Sequence, residues 1–309
     1  MSIVNGSFKC SQCNNNPLHG IINKSLKIIE KRGNMKKIVF FDIDGTLVTR
    51  NNHIPKTTIE AVERLKNNGI IPVIATGRAP ILIWEIAEKL GIDSYIAMNG
   101  QFIVHEGEVI YSNPIDMNLV HKVVEYAREH RDGILLSTEN ELIANSAISL
   151  VNRGTLFALM KSIVGLIPRR IQVSMWKRMM KKAPEREDYE HKNIYMMNIN
   201  ANQKEQVIYE KAFGDVLTFT RANQLSMDII NKGVSKATGV QQMMDALGVS
   251  SKNTFAFGDG LNDLEMLQFV GTGIAMANGF EELKARADFV TDSVFNDGIL
   301  KGLQKLGLI

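Results

Sequence analysis

The chain of 309 residues is 45% hydrophobic and 22% charged, which is typical of a globular protein and long enough for two domains. Its formal net charge of +3 is too small to indicate a nucleic-acid-binding surface, which needs concentrated basic residues. No segment approaches the roughly 18 apolar residues of a membrane span, and the polar N-terminus lacks the apolar stretch of a signal peptide. We therefore expect a cytoplasmic protein that binds neither nucleic acid nor membrane.

The N-terminal segment 1–34 differs in pattern from the rest of the chain. Cys10 and Cys13, the only cysteines, have the spacing of a zinc knuckle and His19 lies nearby, but a structural zinc site needs four ligands and the chain has no second pair. Residues 21–31 favour a short amphipathic helix. Alternatively, the segment is not translated in the cell: Met35 directly precedes a strand, and the codons for the four residues before it can form a purine-rich ribosome-binding sequence.

From residue 36 the pattern alternates between strands and helices, which predicts a parallel sheet with crossover helices. Each strand ends in polar residues, and the helices are closed by glycines suited to a C-cap. The predicted strands are 38–41, 70–75 and 95–98, the predicted helices are 57–68 and 80–90, and a hairpin over 102–111 turns at 106–107.

Between about residues 116 and 220 the pattern changes to α+β, which indicates an inserted domain. Its predicted elements are a helix over 117–130, strands over 134–137 and 142–144, a long helical region over 148–182, a strand over 194–199, and a further helix and strand up to 220. The α/β pattern resumes with a strand over 226–230, a helix over 235–247 and a strand over 254–257.

These elements predict an α/β fold with three parts. A doubly wound, mostly parallel sheet is formed by residues 35–115 and 221–309, an α+β domain is inserted at 116–220, and residues 1–34 form an N-terminal extension. Whether the protein is a monomer or a homodimer is left open.

The first strand ends on two carboxylates, Asp42 and Asp44, followed by Gly45. In open α/β folds, ligands bind at the carboxyl ends of the strands. Two carboxylates placed there repel each other, so a cation between them is expected, and Mg²⁺ prefers oxygen ligands. The alternative is that Asp44-Gly45 is ordinary turn chemistry.

Three further polar clusters lie at other strand or helix ends and complement this pair. Phosphoryl transfer needs an in-line nucleophile, positive charge and hydrogen-bond donors. An aspartate carboxylate can attack phosphorus, and Thr76 offers a hydroxyl and a backbone N–H to an anion. A lysine offers a point charge. The clusters are Thr76, Lys236 with Lys232 beside it, and Asp259 with Asn262 and Asp263.

These segments, taken together, resemble the four motifs of the haloacid dehalogenase superfamily, and within it the Cof-type phosphatases, which carry a large α+β cap between the second and third motifs. Segments 273–278 and 296–299 resemble that subfamily's final segments. The resemblance covers about residues 36–309. The matching motifs are Asp42-Ile43-Asp44-Gly45-Thr46, Thr76-Gly77-Arg78, Gly233-Val234-Ser235-Lys236 and Gly258-Asp259-Gly260-Leu261-Asn262-Asp263.

The resemblance implies a role for each matching residue. Asp42 would be the nucleophile and Asp44 the general acid/base, and Mg²⁺ would be held by Asp42, Asp259 and the backbone carbonyl of Asp44. Lys236 would hold the phosphate beside the nucleophile. The remaining residues would bind substrate and phosphate (Thr76, Gly77, Asn99, Gly100 and Asn262) or support the metal site (Asp263 and Thr46).

Three alternatives remain open at this point. Lys232 competes with Lys236 for the lysine role, Arg78 either contacts the phosphate or is a solvated or ion-paired residue, and the basic residues of 169–182 either steer anionic substrates or form a solvated helix face. The predicted protein is a Mg²⁺-dependent phosphatase of small phosphorylated metabolites, such as sugar, flavin or pyridoxal phosphates. Its alternatives are a sugar phosphomutase and a non-catalytic sugar-phosphate-binding regulator.

Overall fold

A computed structural model describes residues 36–49, 51–144, 183–199, 203–221 and 226–309. Residues Lys37–Ile309 belong to one compact unit. The N-terminal segment with its two cysteines, the predicted helix 148–182 and the basic residues 169–182 lie outside the described residues.

The first sheet has eight strands, and Asp42 directly follows one of its two central strands. The first six strands in spatial order run parallel, and the last two add an antiparallel hairpin. In spatial order the strands are β13 (Phe289–Thr291), β12 (Thr272–Met276), β11 (Thr254–Gly258), β1 (Ile38–Phe41), β2 (Ile71–Ala75), β3 (Tyr95–Ala97), β4 (Phe102–His105) and β5 (Glu108–Ser112).

The strands of this sheet are buried on both faces. In β1, Val39 and Phe41 belong to one hydrophobic cluster, and Ile38 and Phe40 belong to another on the opposite face. Both faces of a parallel sheet are covered by its crossover helices, so a strand such as β1 is a continuous apolar run. This confirms the predicted doubly wound, mostly parallel fold.

The order of the strands reverses at β1, because β2 lies on one side of it and β11 on the other. Such a switch point opens a crevice at the carboxyl ends of the strands, where ligands of open α/β sheets bind. Asp42 and Asp259 follow the two adjacent strands β1 and β11 at this point.

The second sheet has five antiparallel strands. In spatial order they are β7 (Leu142–Ile143), β6 (Ile134–Ser137), β8 (Met196–Ile199), β10 (Met227–Asn231) and β9 (Leu217–Thr220). We call these strands the cap sheet. One of its faces packs on its own hydrophobic cluster, which includes Leu136, Met197 and Ile229.

The strand predicted over 226–230 was expected to resume the first sheet, and this was wrong. As β10, it pairs with β8 and β9 in the cap sheet. Its alternation places Met227 and Ile229 in the cap cluster and Ile230 in a cluster of the first sheet. A short apolar strand does not itself reveal which sheet it joins, because that depends on distant partners. The predicted boundaries of the inserted domain at 116 and 220 stay predictions.

The helices of the described residues begin and end close to the predicted positions. Predicted helix 80–90 is divided into a 3₁₀ turn at Pro80–Leu82 and a helix from Trp84. None of the described helices has both the length and the apolar character that crossing a membrane requires. The helices are α1 (Lys56–Asn67), α2 (Trp84–Leu90), α3 (Met117–His130), α4 (Gln203–Phe213), α5 (Lys236–Leu247), α6 (Leu264–Phe269), α7 (Glu281–Lys284) and α8 (Gly298–Lys305).

Candidate active site

A cavity of about 310 Å³ lies between the carboxyl ends of the first sheet and one face of the cap sheet. Its first wall includes most of the residues singled out by the motifs: Asp42, Asp44, Thr76, Gly77, Asp259 and Asn262. Its second wall comes from the cap sheet: Leu135, Ser137, Leu142, Met196, Asn198 and Asp228.

Lys236 is the centre of the charged cluster at the base of this cavity. Its Nζ lies 2.6 Å from Asp42 Oδ1 and 2.6 Å from Asp263 Oδ1, and its side chain is wholly buried. The sequence places it there because it is the first residue of α5, and α5 packs on the turn that follows β3. A buried ammonium ion needs such partners, because an unpaired buried charge is very costly.

Lys232 lies away from this cluster. Its side chain is exposed, and its Nζ donates a hydrogen bond to the backbone carbonyl of Gly214 at 2.5 Å. Of the two lysines that the sequence left open, Lys236 is therefore the one in contact with Asp42.

Three carboxylates, those of Asp42, Asp259 and Asp263, place oxygen atoms within 4.8 Å of one another. With Lys236 they carry two net negative charges when all are ionised, which one divalent cation would balance. Asp263 already accepts three hydrogen bonds from the protein. Its first oxygen accepts that of Lys236, and its second accepts the backbone N–H groups of Asp259 and Gly260 at 3.1 and 2.9 Å. The oxygens of Asp42 and Asp259 are the ones that fit a hard cation such as Mg²⁺.

The crowding of these carboxylates shifts their protonation equilibria. Burial, followed by the negative charge of Asp263, raises the pKa of Asp42 well above its usual value. The same two causes raise the pKa of Asp259 to about 7. Burial alone would lower the pKa of Lys236, but the charges of Asp263 and Asp42 outweigh it and raise this pKa above the usual value for lysine. The site therefore favours an added positive charge.

Asp259 is held on the cavity wall by Thr46 and Asn278. Thr46 Oγ1 donates a 3.4 Å hydrogen bond to Asp259 Oδ1, and Asn278 Nδ2 lies 3.3 Å from Asp259 Oδ2. Gly45 runs directly beneath this carboxylate with a φ of +87°, and a Cβ on Gly45 would lie 2.1 Å from Asp259 Oδ2. The glycine of the first motif is therefore required both by its backbone conformation and by the position of Asp259.

We expect Gly45→Ala to displace Asp259 and to weaken divalent-cation binding. The left-handed backbone alone should lower the free energy of unfolding by about 1–3 kcal/mol. Gly233→Ala is the matched control, because Gly233 also has a positive φ of +75° but a Cβ there meets no atom within 4 Å. Chemical denaturation and Mg²⁺ titration of both variants check this, and equal Mg²⁺ affinity in the two would contradict it.

Asp44 forms a two-pronged ion pair with Arg78. Arg78 Nε donates to Asp44 Oδ2 at 2.8 Å and a terminal nitrogen donates to Asp44 Oδ1 at 2.5 Å, while the same guanidinium group also donates to Asn52 Oδ1. The side chain of Asp44 is 61% exposed. Of the roles considered for Arg78, the structure therefore shows that of an ion-paired residue.

Thr76 is buried at the end of β2, and its hydroxyl oxygen accepts the backbone N–H of Arg78 at 3.1 Å. The expectation that its own backbone N–H is available to an anion was wrong. That N–H donates to the carbonyl of Ile96 at 2.9 Å, because Thr76 continues the pairing with β3 by one residue. Ligand binding by Thr76 stays a prediction, and it would use the hydroxyl proton.

Asn99, which precedes Gly100 in the turn after β3, is linked to Asn262 on the cavity wall. Asn99 is buried, with a left-handed φ of +55°, and its Oδ1 lies 3.4 Å from Asn262 Nδ2. Gly100 packs against α5, since a Cβ on it would lie 2.4 Å from the carbonyl oxygen of Ser235. Substrate contacts by Asn99, Gly100 and Gly77 stay predictions.

The sequence reasoning missed the polar residues of the cap wall. Asp228 accepts hydrogen bonds from Asn99 Nδ2 at 3.1 Å and from Asn198 Nδ2 at 2.6 Å, and it therefore connects the two sheets. Burial raises its pKa. Ser137 lies on the same wall. The available signal was an aspartate inside the otherwise apolar segment 227–230, but the register of the cap sheet was needed to interpret it.

Comparison with known proteins identifies the relatives of this chain. The family model of the haloacid dehalogenase-like hydrolases matches residues 39–303. YkrA of Bacillus subtilis, provisionally named a phosphatase, is 37% identical over 276 residues, covering 88% of this chain and 98% of YkrA. The solved phosphatase BT1666 of Bacteroides thetaiotaomicron is 29% identical with a TM-score of 0.74, covering 89% of this chain and 96% of that one. The subclass IIB sugar phosphatase BT4131 is 27% identical with a TM-score of 0.71, covering 89% and 100%.

Proposed function

Since the chain belongs to the haloacid dehalogenase-like hydrolases, we propose that it is a Mg²⁺-dependent phosphatase that hydrolyses small phosphomonoesters through an aspartyl-phosphate on Asp42. The observation that carries this proposal is the contact of the buried Lys236 with Asp42, beside Asp259 and at the switch point of the sheet. The proposal is supported because Asp42, the proposed nucleophile, lies next to one fixed positive charge and a second carboxylate suited to a cation.

The proposed reaction has two steps. In the first, a carboxylate oxygen of Asp42 attacks phosphorus and forms the acyl-phosphate bond, while the ester P–O bond breaks and the leaving alkoxide takes a proton from Asp44. In the second, Asp44 takes a proton from water, the water oxygen bonds to phosphorus, and the P–O bond to Asp42 breaks. Inorganic phosphate and the original carboxylate of Asp42 result.

Asp44 must separate from Arg78 before it can act as the general acid and base. Both of its oxygens accept guanidinium hydrogen bonds. Proton transfer requires a carboxyl oxygen within hydrogen-bond reach of the leaving group, and catalytic contacts of this kind often form only with substrate bound. Because Asp44 is 61% exposed, its side chain can turn towards a substrate without disturbing the buried cluster.

Asp42, Asp259 and the backbone carbonyl of Asp44 would hold the Mg²⁺ ion, and Asp263 and Thr46 would keep these ligands in place. When bound, the ion supplies positive charge that offsets the charge of the phosphate oxygens. Lys236 supplies a second, permanent charge from the protein itself. Thr76 would donate its hydroxyl hydrogen bond to a phosphate oxygen, and Asn262 lines the same part of the cavity.

Phosphate release tests the proposal directly. The protein is incubated with a panel of sugar phosphates, nucleotides, cofactor phosphates and phenyl phosphate, with Mg²⁺ and with EDTA. We expect Mg²⁺-dependent release of phosphate from some of these substrates. Isomerised sugar phosphate instead of free phosphate would indicate a phosphomutase, and binding without turnover would indicate a regulator.

Mg²⁺ binding should depend on pH. A metal ligand must be deprotonated, and the pKa of Asp259 is raised to about 7. Because this carboxylate loses its proton as the pH rises through 7, one competing proton on Asp259 should weaken Mg²⁺ binding about tenfold at pH 6 relative to pH 8. The raised pKa of Asp42 acts in the same direction, so we expect an effect of about tenfold or more. Calorimetric titration of Mg²⁺ at both pH values measures it.

The control for this titration is Asp259→Asn, which removes the competing proton together with a ligand. Its Mg²⁺ affinity should be low at both pH values. Equal Mg²⁺ affinity of the wild-type protein at pH 6 and pH 8 would show that Asp259 does not hold the ion.

A further inference from the structure

The face of the cap sheet that lines the cavity carries both apolar side chains and a short polar stripe. The register pairs Leu135 with Asn198, and Asn198 with Asp228, across three neighbouring strands. Ser137 lies two residues beyond Leu135 on the same face, opposite Met196. Asn198 and Asp228 are therefore directly opposite each other on β8 and β10, and Ser137 on β6 is in a diagonal position to Asn198. Side chains in diagonal positions of neighbouring strands are about 7–8 Å apart.

Ser137 on this stripe has an unused hydroxyl group. Its residue is 1% exposed, and its Oγ has no hydrogen-bond partner among the residues that the structure describes. Buried polar groups are nearly always hydrogen-bonded, and an exception calls for a ligand or another specific explanation. The neighbours of Ser137 on the cavity wall, Leu142 and Met196, offer no side-chain oxygen or nitrogen.

Asp228 also has capacity that the protein leaves unused. An ionised carboxylate accepts about four hydrogen bonds, and Asp228 accepts one on each oxygen, from Asn99 and from Asn198. Both donors are neutral amides, and no cation forms an ion pair with Asp228 within the described part of the chain. Its negative charge therefore favours donors from a ligand and disfavours a second anionic group at this end of the cavity.

We infer that Ser137 and Asp228 determine substrate specificity by hydrogen-bonding the hydroxyl groups of the leaving group, which selects phosphomonoesters with an uncharged polyhydroxylated leaving group over those with an apolar one. This inference rests on the proposed phosphatase function. The apolar neighbours Leu135, Leu142 and Met196 suit the C–H surface of such a leaving group, since ligand sites combine an apolar lining with a few placed polar groups.

Two pairs of substrates that differ in their hydroxyl groups test the inference. Glucose 6-phosphate is compared with cyclohexylmethyl phosphate, and glycerol 3-phosphate with propyl phosphate, and kcat/KM is measured for each. The wild-type protein should prefer the hydroxylated member in at least one pair. Ser137→Ala should lower that preference about two- to tenfold, the effect of one neutral hydrogen bond, and Asp228→Asn about tenfold or more, the effect of a charged one.

Ser94→Ala is the matched control, because Ser94 is also 1% exposed but its hydroxyl group bonds to Asp93 and accepts the backbone N–H of Glu106. We expect this control to lower stability and to leave the substrate preference unchanged. Ser137→Ala should leave the stability unchanged, since its hydroxyl group has no partner to lose among the described residues, and should lower the substrate preference. A purely structural role would change both members of a substrate pair equally.

The possible outcomes separate the inference from the function on which it rests. Two results would overturn the inference alone, provided that phenyl phosphate is still hydrolysed. One is a substrate preference that survives both Ser137→Ala and Asp228→Asn, and the other is a wild-type protein without preference in either pair. Absence of phosphate release from all five compounds overturns the proposed function, and the inference with it.

Discussion

Asp42→Asn is expected to reduce phosphate release by about 10⁴-fold or more, because an amide cannot form the acyl-phosphate bond and removal of a nucleophile eliminates its whole pathway. The fold should survive the change. Asparagine keeps the size of the side chain and an oxygen that can accept the hydrogen bond from Lys236, while Lys236 keeps its second partner, Asp263.

The stability difference between this variant and the wild-type protein should depend on pH in a defined direction. Burial and the charge of Asp263 raise the pKa of Asp42 in the folded protein, so the ionised form of Asp42 is disfavoured relative to the unfolded chain. Stability therefore falls as the pH rises through the range between the unfolded and folded values. Asp42→Asn removes this loss, and without Mg²⁺ the variant should be at least as stable as the wild-type protein at pH 8.

Two measurements check the prediction for Asp42. Steady-state phosphate release gives the loss of activity, and mass spectrometry of the acid-quenched wild-type reaction should find one phosphoryl group on the peptide that contains Asp42. Asp245→Asn is the control, because Asp245 is an exposed residue of α5 outside the cavity. Activity of Asp42→Asn within tenfold of the wild type would exclude Asp42 as the nucleophile.

The residues of the site that could be predicted from the sequence are those located directly after predicted strands. An apolar strand such as β1 must be buried, and parallel strands bring their carboxyl ends to one edge, so Asp42, Thr76 and Asp259 had to lie close together. The residues alone offered both Lys232 and Lys236, and the resemblance to the family favoured Lys236, which the structure brings into contact with Asp42. A difference of four residues decides whether the side chain is exposed or enters the cluster.

The parts that could not be predicted depend on pairing between distant segments. Asp228 joins the cavity because β10 pairs with β8 in the cap sheet, and period-two alternation shows two faces without showing which face meets the cavity. The contact between Arg78 and Asp44 also depends on such pairing. The two residues are 34 positions apart in the chain and meet because β1 and β2 are adjacent. Side-chain hydrogen bonds of this kind carry no periodic signal.

Lys236→Met should have the largest effect on stability, a loss of about 3–5 kcal/mol, because removing one member of a buried ion pair leaves its partners uncompensated. Methionine fills a similar volume, so the loss is electrostatic and not the result of a cavity. The carboxylates of Asp42 and Asp263 would face each other without the ammonium group that lies 2.6 Å from both. Activity should fall as well, since the fixed positive charge beside the nucleophile is lost.

The electrostatic origin of this loss can be separated from a packing defect by changing the pH. Without Lys236 the remaining carboxylates bind protons more readily, so the destabilisation should be smaller at pH 5.5 than at pH 8. Lys232→Met is the matched control, because that lysine is exposed and its ammonium group bonds to a backbone carbonyl. Surface substitutions usually change stability by less than about 0.5 kcal/mol. Urea denaturation of both variants at the two pH values decides between the explanations. A loss of equal size at both pH values would assign it to packing, and equal losses in the two lysine variants would show that Lys236 does not hold the carboxylates together.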